Sequence, residues 1–296
     1  MSLKYVDIFW PRILELYGHE LKSVDLFDSQ KEINIINGKT LRIPKLSVGG
    51  YKDHNRQSMT FNTGAYSNDY EDKTLDHDRD IEFGIDPMDV DETNRVVSIA
   101  NVQARFEKTQ AIPELDCYTF SKLYTEAKRI NAKIKTTPLT PANVLADFDE
   151  NLAEMEDSGV PLSRCILYCT TDYKKLLKNA EGVQRYLDAS KGLGIDRRVH
   201  SIDDVGKIIV VPKERFHTLY NFTDGYAQDV SGKLMDYILI DPESQVSRVK
   251  YSYINVYEPG SDSRTADKYL YQNRRFNGTF AIDDLLSNGC IIHAAE

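Results

Sequence analysis

The sequence feature that most constrains the fold is a long polar stretch from Ser47 to Asp80. It is rich in glycine, asparagine, aspartate and serine, and it has too few apolar residues to build a core of its own. A structureless loop of this length is uncommon within a compact domain. Because Ile81, Phe83 and Ile85 then alternate as in a strand, the pattern predicts a long hairpin that projects from the body.

A shorter hairpin is predicted just before this stretch. Asn37 and Gly38 lie between two runs of strand-forming residues within Glu32–Ile43. A two-residue type I′ turn needs positive φ at both central positions, and asparagine and glycine accept it. The two runs are therefore expected to pair as antiparallel strands.

A long helical region is predicted to follow the polar stretch. Asp89 and Glu92 have the spacing of a capping box, in which the side chains at a helix start bond to exposed backbone N–H groups. Apolar residues then recur at helical spacing as far as Lys108, and a second helical pattern follows Pro113. Proline disrupts helix interiors, so we expect a break near Ile112 and Pro113.

The rest of the chain changes from an α/β pattern to a strand-rich one. Thr140 is predicted to cap a helix with Pro141 at its first position, ending at Gly159. The elements predicted after it are a strand Cys165–Cys169, a helix Tyr173–Asn179 capped by Thr171 or Asp172, and a strand Gly206–Pro212. Apolar or alternating runs then predict the strands Leu234–Ile240, Val249–Tyr257, Tyr269–Ile282 and Cys290–Ala294.

Charge and hydropathy exclude several classes of protein. The chain has 37 Lys and Arg against 46 Asp and Glu, and no basic run is longer than a dipeptide. Proteins that grip nucleic acid need a basic stripe, so direct high-affinity DNA binding is not expected. No apolar run approaches the ~20 residues that cross a bilayer, and Met1–Gly18 does not resemble a signal peptide. We therefore expect neither a secreted nor a membrane protein.

The cysteines and acidic motifs do not form a catalytic or metal site. Cys117, Cys165, Cys169 and Cys290 have no metal or redox spacing and are expected to be small buried residues in a reducing compartment. The run Asp76–Asp80 alternates between strand faces and should not converge on one ion. No catalytic residue, metal ligand or cofactor is predicted, and the expected function is not enzymatic.

One motif keeps an enzymatic alternative open. Asp89, Asp91 and Thr93 match the nucleophile motif of haloacid-dehalogenase-type phosphatases, in which the first aspartate attacks phosphorus and Mg²⁺ binds both carboxylates. That motif ends a buried apolar strand, whereas Pro87 would interrupt such a strand here. The helix-cap interpretation explains Asp89 and Glu92 without a metal.

Taken together, the order of elements resembles the major capsid proteins of tailed bacteriophages, which have the Hong Kong 97-type fold. Three stretches carry the resemblance: Asp78–Thr93 is similar to the strand that returns from the extended loop into the spine helix, Phe106–Phe120 to the segment after it, and Tyr271–Ile282 to a late strand of the peripheral domain. The resemblance implies an α+β fold with an N-terminal arm, an extended β-hairpin loop, a peripheral domain with a long spine helix, and an axial α/β domain.

The resemblance also implies a division of the chain. The implied ranges are an N-terminal arm (1–31), a hairpin and extended loop (32–85), a peripheral domain with the spine helix (86–137), an axial domain (138–240), and peripheral strands that return towards the axial domain (241–296). Contacts between subunits are expected from exposed aromatic and basic residues of the extended loop: Tyr51, Arg56, Phe61, Tyr66 and Tyr70. Deleting residues 50–75 is then expected to leave a soluble fold but stop shell closure.

The partners implied by the resemblance are mainly further copies of the chain. Such proteins form pentamers and hexamers that close into an icosahedral shell, part of the virion, assembled in the host cytoplasm around double-stranded DNA. The net charge of −9 fits a shell that encloses DNA without binding it specifically. A separate scaffolding protein, a portal and decoration proteins are further implied partners, and no membrane is involved. An encapsulin-like bacterial nanocompartment shares this architecture and remains an alternative.

Overall fold

The computed structural model describes residues 21–27, 34–37, 40–54, 61–88, 99–180, 205–261 and 265–294. Three predicted features lie outside these residues: the contact residue Arg56, the helix cap of Asp89 and Glu92, and the phosphatase motif that begins at Asp89. The turn at Gly38 also lies outside them.

Strand pairing confirms the shorter predicted hairpin, but Asn37 lies in its first strand and pairs with Thr40, so it is not a central residue of the turn as predicted. Strands β1 (Asn34–Asn37), β2 (Thr40–Val48) and β3 (Tyr66–Thr74) form an antiparallel sheet in that order. The ladder of β2 and β3 runs without a bulge from the pair Thr40 and Thr74 to the pair Val48 and Tyr66. We call residues 40–74 the extended hairpin and residues 49–65, which join its strands, the tip.

The strand that returns from the tip is not the one expected from the sequence. We predicted that Ile81, Phe83 and Ile85 return along the hairpin, but they lie in β4 (His77–Ile85), which pairs with the late strand β12 (Tyr269–Ala281). The returning strand is β3, whose sequence is polar apart from Tyr66 and Tyr70, and both of these are exposed. Because neither face of β3 packs on a core, it lacks the hydrophobic alternation by which strands are detected.

The spine of the molecule is a helical segment without the predicted break. It consists of α2 (Ile99–Phe106), a π-helical turn (Glu107–Ala111) and α3 (Ile112–Arg129). In the π-helical turn the N–H of Ile112 donates to the carbonyl of Glu107, five residues back. Pro113 follows in the first turn of α3, where a missing N–H is tolerated. The wider turn therefore lets the helix continue past a proline that would otherwise interrupt it.

The spine packs on one face of a three-stranded antiparallel sheet. The strand order is β11-β12-β4, where β11 is Gln245–Tyr257. Phe83 of β4 contacts Phe106 of α2 edge to face, at 5.4 Å between ring centroids. His77 stacks on Tyr118 of α3 at 4.0 Å. The predicted alternation of β4 is thus confirmed, with its odd-numbered residues directed at the spine.

A second, mixed sheet forms the α/β part of the molecule. Its strands, in sheet order, are β5 (Lys133–Lys135), β13 (Cys290–Ala294), β10 (Met235–Ile240), β6 (Ile166–Cys169) and β7 (Lys207–Val210). Helices α4 (Val144–Asp157) and α5 (Thr171–Asn179) contribute to a core on one face, and α3 to a core on the other. Strand β10 lies at the centre of this sheet, and the late strand β13 lies between β10 and the edge strand β5.

The remaining described elements are short. They are α1 (Val24–Phe27), the paired strands β8 (Tyr220–Asn221) and β9 (Ala227–Gln228), and α6 (Asp283–Gly289). Among the described residues, no helix combines the length and apolar character that crossing a bilayer requires.

The starts of two helices differ from the prediction. Helix α4 begins after Asn143 rather than Thr140, because the side-chain oxygen of Asn143 accepts the N–H of Thr140 at 2.7 Å and holds the intervening residues in a turn. Helix α5 is capped by Thr170, whose hydroxyl accepts the N–H of Tyr173 at 3.2 Å, rather than by Thr171 or Asp172. The predicted end at Gly159 is confirmed by its positive φ of 78°.

The cysteines are placed as predicted. All four are buried free thiols. Burial raises the pKa of the Cys165 thiol to about 11 and that of Cys290 to about 12. Thiols in such surroundings stay protonated at neutral pH and are chemically inert.

Candidate interaction surface

On one face of the extended hairpin, the half towards the tip is mostly apolar and exposed. In an antiparallel ladder, residues directly opposite each other lie on the same face. Val48 pairs with Tyr66, and Pro44 pairs with Tyr70, with Leu46 between them on the same face of β2. We call these five residues the apolar face. Its large side chains are between 53% and 79% exposed, which is unusual for a soluble chain that acts alone.

The tip carries two further exposed aromatic side chains, Tyr51 and Phe61. Hydrogen bonds across the tip hold its two legs together. The side-chain amide of Asn62 donates to the carbonyl of Asp53 at 2.8 Å, and the N–H of Gly49 donates to the carbonyl of Ala65 at 2.7 Å. The tip therefore presents its aromatic groups from a locally bonded loop.

The predicted contact residues divide between these two surfaces. Tyr66 and Tyr70 lie on the apolar face, and Tyr51 and Phe61 lie on the tip. All four are exposed, as a contact residue must be, but their contact with a neighbouring chain stays a prediction. Sequence reasoning missed the half of the apolar face that β2 contributes. The alternation of Pro44, Leu46 and Val48 with polar residues was the available signal.

The opposite face of the hairpin is charged and bonds to the body. Lys45 contacts Asp284 at 2.7 Å, and Lys73 contacts Asp283 at 3.0 Å, both in α6. Arg129, at the end of the spine, also bonds to Asp283. These contacts fix the base of the hairpin to α6 and the spine, so that the apolar face is directed away from this junction.

Two carboxyl groups at this junction share a hydrogen bond. Burial and the bond to Asp283 raise the pKa of Glu71, although Lys73 at 2.5 Å opposes the shift. Burial would also raise the pKa of Asp283, but its bonds with Arg129, Glu71 and Lys73 outweigh that effect and hold its pKa well below the ordinary range. A proton taken up at this junction therefore resides on Glu71.

We expect the substitution Glu71→Gln to increase stability at neutral pH and to change it little at about pH 4. The folded chain binds a proton on Glu71 more readily than the unfolded chain does, because the folded pKa is raised. The associated stabilisation is present below the unfolded pKa and is lost as pH rises through the folded pKa. Ionised Glu71 therefore lowers the free energy of unfolding at neutral pH, and glutamine, which stays neutral, removes this effect.

The measurement is urea unfolding of both chains across this pH range. The control is Glu150→Gln, on an exposed residue of α4 remote from the hairpin. Stability curves for Glu71→Gln and the unaltered chain that run parallel with pH would contradict the assignment of the proton to Glu71.

A buried polar cluster joins the spine to the three-stranded sheet. Glu107, in the π-helical turn, is 3% exposed. Its carboxylate accepts hydrogen bonds from Arg275 at 2.6 Å, from the side-chain amide of Asn273 at 2.8 Å and from the hydroxyl of Tyr271 at 3.2 Å. All three partners lie on β12 and face the spine. The cluster sets how the spine sits on the sheet, and sequence reasoning missed it.

The acidic run at the start of β4 does not gather into one site. Asp78 and Asp80 are exposed on the face away from the spine. Asp76 bonds instead to the hydroxyl of Tyr118 and to Lys122, both at 2.6 Å. Within the described ranges, no group of three acidic, histidine or cysteine side chains is arranged to hold a metal ion.

Solved structures of phage shells share this arrangement of elements. The mature capsid of bacteriophage PhiM1 has a TM-score of 0.63 and 15% identity, over 87% of this chain and 82% of that one. The capsid of cyanophage P-SCSP1u has a TM-score of 0.59 and 10% identity, over 89% and 85%. The chain has a phage-capsid fold. The α+β fold class predicted from the sequence is thereby confirmed.

The capsid fold is also similar to that of a virus-like particle from Pyrococcus furiosus. The TM-score is 0.54 with 11% identity, and the match covers 99% of this chain and all of that one. The sequence itself matches no protein-family model and no curated protein. At these identities the likeness concerns the fold alone.

Proposed function

We propose that the chain is the major capsid protein of a tailed bacteriophage and that it self-assembles into pentamers and hexamers of an icosahedral shell around double-stranded DNA. The observation that carries the proposal is the uncovered apolar face, borne on a hairpin of a capsid-fold chain. A single subunit in water has nothing to cover that face. A neighbouring copy of the chain does so in a shell.

The proposed mechanism is mechanical. The extended hairpin of each subunit lies over its neighbour, with Tyr51, Phe61, Tyr66 and Tyr70 among the contacts. Each contact is modest, and closure of the shell adds many of them through multivalency. The charge of −9 favours a wall that does not adhere to the packaged phosphate backbone.

The remaining roles follow from this proposal. The protein is a structural component of the virion, assembled in the host cytoplasm, and it has no enzymatic activity and no membrane partner. A separate scaffolding protein, a portal and decoration proteins are its proposed partners. The domain ranges implied by the resemblance also stay proposals.

The experiment that tests the proposal is size-exclusion chromatography with light scattering, followed by negative-stain electron microscopy of the heavy fraction. We expect rings of five or six subunits, or closed shells. Because a scaffold is a proposed partner, the chain is also produced together with the proteins encoded beside its gene. A chain that stays monomeric under both conditions would contradict the proposal.

We expect the double substitution Tyr66→Ser and Tyr70→Ser to weaken assembly strongly and to leave the unfolding midpoint of the subunit nearly unchanged. Both side chains are exposed in the subunit, so their loss removes little packing within it. The matched control is Ser67→Ala with Asp69→Ala on the opposite face of the same strand. Equal assembly by the two double variants, measured by light scattering, would show that the apolar face is not a contact surface.

A shell that houses an enzyme rather than a genome is the second candidate, favoured by the nearly complete match to the Pyrococcus furiosus particle. Particles purified from the native host discriminate the two, because one contains DNA and the other a protein cargo. The phosphatase alternative requires Mg²⁺-dependent phosphoester hydrolysis that Asp89→Asn abolishes.

A further inference from the structure

A buried histidine of the α/β sheet is held at both of its ring nitrogens. His293 lies in β13 and is 1% exposed. Its Nδ1 lies 2.9 Å from a carboxylate oxygen of Asp236, and its Nε2 lies 2.7 Å from the carbonyl oxygen of Thr137. A carbonyl oxygen can only accept a hydrogen bond, and so can an ionised carboxylate. The two bonds therefore form together only when both ring nitrogens carry a proton.

A β-bulge places the carboxylate beside this ring. The ladder of β10 and β13 has a register shift just before Tyr237, which pairs with His293, so Asp236 is an extra residue on β10. Bulges redirect side chains that a regular ladder would point to the other face. The carbonyl of Asp236 also accepts the N–H of Thr170 at 2.9 Å, which ties the bulge to the residue after β6.

The tyrosines packed against the ring are neutral. Tyr237 stacks on the imidazole of His293 with 5.4 Å between ring centroids. Tyr173, on α5, packs on Tyr237 at 4.7 Å. Burial raises the pKa of both tyrosine hydroxyl groups, so neither is charged at neutral pH. They shield the ring from water without adding a charge.

The charged groups on the neighbouring elements favour the imidazolium. Lys135 is the register partner of His293 in the ladder of β5 and β13, but its ammonium group bonds to two carboxylates of α4, Asp147 at 3.2 Å and Glu150 at 2.8 Å. Burial alone would lower the pKa of His293, but its two hydrogen bonds and the nearby charges of Asp236 and Asp147 outweigh that effect and raise the pKa. The ring therefore holds its second proton more tightly than an exposed histidine does.

The bond to Thr137 holds the segment 136–143, which joins β5 to α4. Within this segment the side-chain amide of Asn143 donates to the carbonyl of Pro138 at 3.0 Å, and its oxygen accepts the N–H of Thr140 at 2.7 Å. These bonds fold the segment on itself. Leu139 packs on the core of the sheet but is only partly buried. The hydrogen bond from His293 thus adds a polar tie between the sheet and a segment with little packing of its own.

We propose that His293 is a pH-sensitive catch, which holds the segment 136–143 against the α/β sheet when protonated and releases it when neutral. A neutral imidazole has one N–H, and the carboxylate of Asp236 is the stronger acceptor because it is charged. The remaining proton therefore stays on Nδ1, and the lone pair of Nε2 then faces the carbonyl oxygen of Thr137. This repulsion opens the segment and leaves the bulge bonded. The inference does not depend on the proposed shell function.

The sign of the pH dependence follows from the position of the proton. The folded chain binds the proton on His293 more tightly than the unfolded chain does, because the folded pKa is raised. The stabilisation is complete below the unfolded pKa of about 6.5 and is lost as pH rises through the folded pKa. The segment is therefore held in mildly acidic solution and released in alkaline solution.

The test is hydrogen–deuterium exchange of the segment 136–143, read by mass spectrometry from about pH 5.5 to about pH 9 and corrected for the intrinsic pH dependence of exchange. Because release requires the neutral ring, we expect exchange to accelerate about tenfold per pH unit until the folded pKa is passed and then to level off. In His293→Gln an amide donor replaces the Nε2–H and does not titrate, so the acceleration should be absent. The matched control, His54→Gln, removes an exposed histidine of the tip and should behave as the unaltered chain does.

The charge of the ring is measured separately by nitrogen-15 NMR of the histidine side chains, in which the His293 signal is the one missing from His293→Gln. An exposed histidine is half protonated at about pH 6.5, and we expect His293 to be mainly protonated there. A neutral His293 at that pH would overturn the proposal, as would equal acceleration of exchange in His293→Gln and the unaltered chain. A flat exchange profile in the unaltered chain would also overturn it, and that measurement needs no substituted protein.

Discussion

Replacing residues 50–64 with Asn-Gly should abolish shell assembly and leave the subunit folded. Gly49 and Ala65 face each other at the end of the ladder and the N–H of Gly49 donates to the carbonyl of Ala65, so a two-residue type I′ turn can join them. The described hydrogen bonds of the removed segment run within the segment itself. The body of the subunit therefore loses none of its described contacts, whereas a shell loses the contacts that the tip makes.

The expected effect on assembly is large because the contacts of the tip are lost from every subunit of the shell. In the proposed shell each subunit contributes one tip, and closure adds these contacts together. We expect no closed particles by negative-stain microscopy, with the circular dichroism spectrum and the urea midpoint of the subunit unchanged. The control keeps the full tip and carries Thr63→Ser, which should assemble normally. Normal shells from the shortened chain would refute the role of the tip.

The structure supports a shorter deletion than the removal of residues 50–75 that the sequence suggested. Removing residues 50–75 would also remove β3 and Leu75, which is buried with Phe276 and Phe280 of β12. Loss of such a side chain leaves a cavity that costs about 2–5 kcal/mol. A chain cut that widely could fail to assemble because its body is damaged. The shorter cut tests the tip alone.

Strands with a buried face were predictable from the sequence. The strand Cys290–Ala294 was predicted with its observed bounds, because a short apolar run bounded by polar residues is typical of a strand buried on both faces. The alternation in β12 likewise reflects one face packed on the spine. Burial of one or both faces of a strand produces a recognisable pattern of apolar residues, and that pattern was sufficient to predict these strands.

Elements stabilised by polar contacts were not predictable in this way. Strand β3 is exposed on the face that carries Tyr66 and Tyr70 and polar on the other, and its pairing follows from the ladder with β2 rather than from an alternation of buried apolar residues. Helices α4 and α5 begin at positions other than those predicted because Asn143 and Thr170 each make one hydrogen bond there. Nearby polar residues could have made the same bond, so the sequence alone does not show which residue starts the helix. On the candidate surface, the aromatic residues were predicted as contacts because they lie in an otherwise polar stretch, whereas Leu46 and Val48 were not predicted.

The substitution Glu107→Ala should destabilise the subunit by about 3–5 kcal/mol, the cost of breaking a buried ion pair by removing one partner. Glu107 sits in an amphipathic helix and resembles an ordinary surface residue in sequence. Its partners on β12 lie 164 to 168 residues away, so local sequence does not reveal them. Without the carboxylate, the charge of Arg275 loses its contact at 2.6 Å inside the protein.

The measurement is urea unfolding of the subunit at neutral pH. The matched control is Glu150→Ala, which removes an exposed glutamate paired with Lys135 at 2.8 Å and should cost less than about 1 kcal/mol. Similar costs for the two substitutions would mean that the Glu107 cluster is not a buried ion pair in solution.

A double substitution separates the cost of removing one of the two charges from the value of the ion pair. Glu107→Leu with Arg275→Met removes both charges together and should recover most of the stability lost in Glu107→Ala, because apolar replacements of buried pairs are often neutral. If that chain is stable yet forms irregular shells, the cluster serves to set the angle between spine and sheet. If it is stable and assembles normally, packing of Phe83 on Phe106 alone is sufficient to set that angle.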